Sequence, residues 1–262
     1  METARHRSTT RLRRAGVFAA ASRTVATNPM PDCPAGRRRG YGARTRAWFD
    51  GGMLIHPWDR ASKDEWLDVL RRVDFGQLVV SDDAGYPFVV PSHFVHDGGD
   101  QIWMHLARPN PVWRAVEANP RVLFALVLDY TYVEAAWNAD GGLPPEHGVP
   151  TSYYTAVQFR CTAEVVDDEE GKLAILRRQL GRLEPGGSRR EPPSTDIESD
   201  RRMLPGIRGL RLTIDEVLAK MKYGGNKTPE QRAAIAERLA ERDRGLDTQA
   251  REHLLRRGGT AG

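Results

Sequence analysis

The sequence predicts a mainly β fold: a small antiparallel barrel with helices at its ends and edges. Three observations point there. Six or seven short apolar segments, several alternating with period two, run through the centre of the chain. Turn chemistry separates them, notably Asp82-Asp83-Ala84-Gly85 and Asp97-Gly98-Gly99-Asp100. Few helical patterns intervene, so the strand–helix alternation of a doubly wound sheet is missing.

The elements follow in chain order. Ser62-Lys63-Asp64-Glu65 is a capping box, and Trp66, Leu67, Leu70 and Val73 behind it form one helical face. Gln77–Val80, Phe88–Pro91, Ser92–Val95 and Ile102–Ala107 then read as an antiparallel meander. The last of these delivers Arg108 to a corner. Asn110 suits a helix N-cap there and Pro111 the first helical position, so a short helix should bury Val112, Trp113 and Val116 and stop before Asn119-Pro120.

Val122–Leu128 is apolar without alternation, as expected of a strand buried on both sides or lining a barrel interior, and Asp129–Ala136 continues it. Asn138–Val149, rich in Gly, Pro and acidic residues, is an exposed loop. Thr151–Tyr154 and Ala156–Val166 return to the sheet. Asp168 opens a helix whose Leu173, Leu176, Leu180 and Leu183 make a core or subunit-packing stripe.

After the polar connector Glu184–Ser199, Ile207–Ile214 alternates as a half-buried strand. Gly224-Gly225-Asn226 is a turn, and Thr228-Pro229-Glu230-Gln231 is a second capping box. Its helix carries only Ile235 and Leu239 on a charged surface, which predicts light packing. A last helix is expected around Thr248–Arg257. The resulting organisation is an N-terminal extension over 1–52, a barrel over 53–223 and a helical tail over 224–262.

Charge separates the first segment from the rest. Of the formal +4, residues 1–52 supply +8, from eleven Arg against Glu2, Asp32 and Asp50, so the body carries −4. Arg13-Arg14 before Ala15–Ala21 resembles a twin-arginine signal, and the Arg-rich, acid-poor composition also suits a transit peptide. A disordered extension, or upstream sequence ahead of a true start near Met53, is the favoured reading. A mildly acidic body lacks the bulk footprint of a nucleic-acid binder. Two dissimilar cysteines, Cys33 and Cys161, exclude a disulfide framework and fit a reducing, cytoplasmic setting. No apolar run reaches membrane-spanning length.

The chemistry is carried by polar clusters at strand ends. Walker, Gly-rich phosphate-loop and nucleophile-elbow motifs are missing, and paired carboxylates for hydrolysis do not stand out. His93 and His96 would point to opposite faces of a strand, so no metal is expected. Arg108 beside the start of the Asn110-Pro111 helix offers a seat for a phosphate; alternatively it is a capped turn with Arg108 in water. Ser92-His93, His105-x-x-Arg108, Thr151-Ser152-Tyr153 and Lys220/Lys222 are the clusters from which a ligand site would be built.

Five stretches also resemble the PaiB-like family of FMN-binding negative transcriptional regulators. They are Pro91-Ser92-His93-Phe94, His105 to Trp113, Val149 to Tyr154, Leu204-Pro205-Gly206-Ile207-x-Gly209, and Lys220-x-Lys222 with Asn226-Lys227. The resemblance implies a six-stranded Greek-key split barrel that dimerises, with FMN at or near the subunit interface. It assigns phosphate contact to Arg108 and, with it, His105, Ser92, His93 and Asn110, and places Thr151, Ser152, Tyr153 and Lys222 around the same pocket. Family members commonly have Trp-Asn where this chain has Ser152-Tyr153, and Ser-Gln where it has Gly224-Gly225. Three functions follow for test: an FMN-binding regulator, a flavin-dependent oxidoreductase acting on a small molecule, and a DNA-binding repressor.

Overall fold

The computed structural model describes residues 52–139, 144–184, 186 and 188–257. The extension over 1–51 and the centre of the 138–149 loop lie outside the described residues. Seven strands form one antiparallel sheet: β1 (Phe75–Ser81), β2 (Pro87–His93), β3 (Val95–His96), β4 (Gln101–Ala107), β5 (Arg121–Val133), β6 (Thr151–Val166) and β7 (Ile207–Lys222). Their order across the sheet is β2-β1-β5-β6-β7-β4-β3. The fold class matches the sequence expectation, a mainly antiparallel flavin-type split barrel with flanking helices, but with seven strands rather than six and an unclosed sheet.

The reason for the extra strand is local. Extended backbone runs from Pro87 to His93, then Phe94 turns away and donates its N–H to the Asp74 carbonyl at 2.9 Å. Phe94 buries its ring edge-on against Phe124 at 4.9 Å. The chain resumes as the two-residue β3 on β4. The two outermost strands are thus consecutive in sequence, joined through one residue, although no ladder of hydrogen bonds seals them.

Inside the curl lies one core. Leu78 and Val80 from β1, Ile102 and Met104 from β4, Phe124 from β5, Val157 and Phe159 from β6, and Leu210 and Leu212 from β7 meet there. Helix α1 (Lys63–Arg72) closes one opening, adding Val69 and Leu70, and α2 (Val112–Ala118) adds Val112, Trp113 and Val116. The capping box of α1 forms as expected: Ser62 Oγ accepts from Glu65 N, and Glu65 Oε2 accepts from Ser62 N at 2.7 Å.

On β5 the apolar run does alternate in burial. Val122, Phe124 and Leu126 are buried, whereas Leu123 and Ala125 are half-buried and Val127 is 67% exposed. One sheet face is therefore core and the other is open, so of the two expectations the strand lining a barrel interior fits and the strand buried on both sides does not. Phe75, Val89, Tyr130 and Tyr132 are exposed large side chains on the neighbouring strands and at the β5 end. A bulge between Leu128 and Thr131, with Asp129 in the left-handed region (φ 54°), lets Thr131 and Val133 turn back into the core.

Helix α3 (Glu169–Leu183) covers the outer face of β4 and early β7, where Ile175 packs on Trp103 and Val166. Its buried side chains are Lys172, Leu173, Ile175 and Gln179; of the predicted leucine stripe Leu173 is buried, Leu176 and Leu180 are half-buried and Leu183 is exposed. Lys172 and Gln179 are tolerated because each has a partner: Lys172 Nζ donates to Leu204 O at 3.0 Å, and Gln179 bonds both β2 and β4. A short α4 (Glu198–Met203) precedes β7.

The C-terminal helices α5 (Pro229–Arg242) and α6 (Asp247–Arg256) do not pack lightly. Ile235, Ala236, Leu239, Ala250 and Leu254 join the same core. Arg242 donates to both Asp247 oxygens at 2.7 and 2.8 Å and to Thr131 Oγ1 at 2.9 Å, so the hairpin is bolted to β5 by buried charge-assisted bonds.

Candidate functional site

The Arg108 corner forms as a corner. Asn110 Oδ1 accepts from Val112 N at 3.0 Å, supplying the cap the sequence asks for. Arg108 lies just beyond β4, its N–H donating to Gly206 O at 2.8 Å and its Nε to Pro205 O at 2.6 Å. The guanidinium does not face water alone: it grips Asp167 with both Nη atoms, at 3.1 and 2.5 Å. The hydrogen bond from Arg108 holds the Asp167 carboxyl below the usual carboxylate range, helped by Arg208 and Lys172. Arg208 Nε lies 3.2 Å and Lys172 Nζ 3.8 Å from the same carboxylate. Three cations therefore converge on one carboxylate, with Glu117 on the far side of Arg208 at 2.8 Å. Asp167 is the anion these cations hold.

Next to this corner, His105 Nδ1 bonds Gln179 Oε1 at 2.5 Å, and Gln179 Nε2 donates to His93 O at 3.3 Å. Ser92 is buried with its hydroxyl on His93 O at 3.0 Å. His93 itself lies edge-on to Phe75 at 5.0 Å, on the open sheet face. Ser92, His93, His105, Arg108 and Asn110 thus belong to one end of the barrel, tied together through α3 and its N-terminal approach.

Thr151, Ser152, Tyr153 and Lys222 form a second group. Lys222 Nζ donates to Thr151 Oγ1 at 2.7 Å. Tyr153 is buried, edge-on to Tyr223 at 5.9 Å, and Ser152 pairs with Tyr132 across the ladder. Within one chain Arg108 and Lys222 lie at opposite ends of the sheet. Ala107 pairs with Ile207 at the start of β7, whereas Lys222 is its last residue, about 50 Å of extended backbone away. Thr151–Tyr153 and Lys222 thus lie at the end of β7 away from Arg108 within a single copy.

Thr151, Tyr153 and Lys222, but not Ser152, line a pocket of about 230 Å³ that sequence reasoning did not foresee, together with His56, Trp58, Asp59, Asn138, Gly224, Asn226 and Lys227. A strap builds its near wall: Ala61 N donates to Ala219 O at 3.1 Å and Lys220 Nζ to Leu54 O at 2.8 Å. Gly225 is required there, because a Cβ would come within 2.3 Å of the Trp58 carbonyl oxygen. Gly224 (φ +65°) turns the chain beside the Tyr153 hydroxyl. Asp59 is 2% exposed, and burial pushes its carboxyl up against the opposing charges of Lys220, His56, Lys222 and Arg257. Burial and Lys220 pull the Lys222 ammonium below the ordinary lysine value, with Asp59 opposing. Asn138 Nδ2 donates to Val149 O at 2.5 Å, while its Oδ1 is buried without a hydrogen-bond partner among the described residues. The only sequence signal for this wall was His56-Pro57-Trp58-Asp59 itself, which follows no recognised pattern.

An open split barrel with a cationic corner, a polar pocket and an exposed apolar sheet face is the architecture of flavin-binding split-barrel proteins. The chain belongs to the family described as "Putative FMN-binding domain", which matches residues 53–216. Among solved structures it resembles the flavocytochrome Anf3 from Azotobacter vinelandii, at 21% identity and a TM-score of 0.51, covering 67% of this chain and 75% of that one. It also resembles the FAD and heme binding protein from Mycobacterium smegmatis, at 20% identity and a TM-score of 0.50, over 66% and 78% of the two chains. These likenesses establish the fold. No curated protein matches the sequence. Among the described residues, no helix is long and apolar enough to cross a membrane.

Proposed function

We propose that the protein is a cytoplasmic FMN-binding flavoprotein that works as a homodimer, each flavin held between two copies. The observation that carries this is the separation of the two polar groups. One flavin can touch both only if Arg108 comes from one copy and Lys222 from the other. The pocket alone, at about 230 Å³, falls below the roughly 300–1,000 Å³ of sites that enclose a whole ligand. The open sheet face, bearing Val127, Phe75, Val89 and Tyr130, is the apolar surface a second copy would cover.

The residues present suit FMN. Three cations around Asp167 match a phosphate, with the carboxylate marking the anion position. Exposed Tyr130 and Tyr132 suit a planar ring, and Thr151, Ser152, Tyr153 and Lys222 offer hydroxyl and ammonium donors for its carbonyl edge. His105, Ser92, His93 and Asn110 would shape the phosphate end. Bound flavin supplies electron transfer; the protein's part is to bind, orient and shield it.

Visible absorbance of the purified full chain, followed by FMN titration, tests the cofactor; a colourless protein that takes up no FMN would sink the proposal. Arg108→Ala and Lys222→Ala should each weaken FMN by about ten-fold or more. Unfolding and reassembling the two variants together should restore about one quarter of the sites, since mixed dimers regain one intact site. Rescue is absent if both residues serve the flavin within one chain.

The PaiB-like resemblance supports a regulatory role. The mildly acidic body does not favour direct DNA contact, so specific, salt-sensitive binding to the protein's own promoter by residues 53–262 is the test of that role. The second reading is a flavin-dependent oxidoreductase, favoured by the titratable pair Asp59 and Lys222 in the pocket. Turnover of bound flavin between a nicotinamide donor and an acceptor distinguishes it.

A further inference from the structure

The pocket under the 56–59 strap is built for more than the edge of a cofactor. Lys222 and Lys227 line it, Lys220 lies behind Asp59, and its one carboxylate, Asp59, is itself buried. Such a balance favours an anion. Asp59 stands among Lys220 and Lys222 from β7, His56 on its own strap, and Arg257 at the end of α6. A second carboxylate brought beside it would force the two to share a proton, because like charges at close range cannot both ionise in a dry site. The direction of the Asp59 shift agrees with that tendency. The orphaned Asn138 Oδ1 asks for a donor from whatever enters. The stacked His56 and Trp58 rings, 4.7 Å apart at 8°, give the wall a flat apolar surface.

We propose that this pocket binds a small monocarboxylate carrying a hydrogen-bond donor, with Lys222 and Thr151 receiving its carboxylate and Asp59 taking up one proton as it binds. Asn138 Oδ1 accepts from the ligand's hydroxyl or amino group. Only the role of the bound molecule as a substrate beside the flavin rests on the flavin reading; the binding does not.

Titration calorimetry of the full chain without added flavin, using benzoate and 3-hydroxybenzoate between about pH 5 and about pH 8, tests it. Binding should tighten as pH falls, by up to about ten-fold per unit while Asp59 titrates. The hydroxylated probe should bind about five-fold tighter than benzoate. Asp59→Asn should flatten the pH dependence, and Lys222→Gln should weaken binding about ten-fold. Circular dichroism on both variants confirms the fold. No binding at millimolar probe, pH-independent binding to the native chain, or binding indifferent to both substitutions overturns the inference. FMN uptake is measured on the same samples. Flavin without carboxylate binding refutes this inference alone, and carboxylate without flavin binding refutes only the flavin reading.

Discussion

His253 Nε2 lies 2.8 Å from Asp129 Oδ2, joining the last helix to the bulge of β5. The bond fixes the imidazole: Nε2–H donates to the carboxylate, leaving Nδ1 to accept from Arg256 at 3.1 Å. The ring also stacks on Tyr223 at 4.5 Å, one residue after Lys222. His253→Ala should therefore destabilise the protein by about 2–4 kcal/mol, combining the lost charge-assisted bond with the lost packing. Asp129→Asn, which keeps both an acceptor and tolerance of the left-handed backbone, should cost about 1 kcal/mol. Urea unfolding midpoints give both values, and a His253→Ala cost under about 0.5 kcal/mol would refute the anchoring role.

Acid should loosen the hairpin through Asp247. Burial would raise this carboxyl, but hydrogen bonds from Arg242, Thr131 and the Arg244 amide outweigh it and hold it at about 2. A carboxyl depressed on folding adds stability above its unfolded value, near 3.8, and loses it as pH falls from there through about 2. The stake is about 2 kcal/mol. Asp247→Ala, which strands the half-buried Arg242, should cost about 3 kcal/mol at neutral pH. Melting temperature against pH, native against Asp247→Asn, would show the acid limb shrink in the variant; identical limbs would count against this account.

Self-association should depend on the open sheet face. Val127→Asp places a charge at a 67%-exposed position, so monomer stability should move by no more than about 0.5 kcal/mol while the dimer dissociates. Sedimentation at micromolar concentration distinguishes the states. A native chain that sediments as a monomer contradicts the shared-site proposal outright.

Cys161 should be inert. Burial, with a smaller contribution from Asp215, pushes its thiol up to about 12, leaving little thiolate at neutral pH. In a Cys33→Ser background, iodoacetamide should label Cys161 only as fast as the barrel opens, and labelling should accelerate in step with urea unfolding.

Features confined to a few residues were legible in the sequence. Both capping boxes, Ser62/Glu65 and Thr228/Gln231, form as read, as do the Asn110 cap and the Asp168 N-cap. Each is a contact within four residues, written in adjacent letters. Strands such as β4 and the first half of β7 were legible for the same reason, through alternation. What escaped was long-range. Arg108 finds Asp167 fifty-nine residues on, and Asp59 meets Lys222 only because the strap crosses the end of the sheet. A charged helix such as α5 looks lightly packed until Arg242 is seen to spend its charge on Asp247 and β5. The even spread of apolar residues in β5 misled because an uncovered sheet face and a buried one use the same residues when a partner is expected.

The strap has a consequence for how the protein is made. Ala61 cannot find the Ala219 carbonyl, nor Leu54 the Lys220 ammonium, until the ribosome has released the far end of β7. The residues that lead into α1 are thus among the last to settle. During synthesis the β1–β2 and β3–β4 pairs must wait for β5 and β7, the expected meander not forming, and the barrel becomes competent for ligands only after nearly the whole polypeptide has emerged.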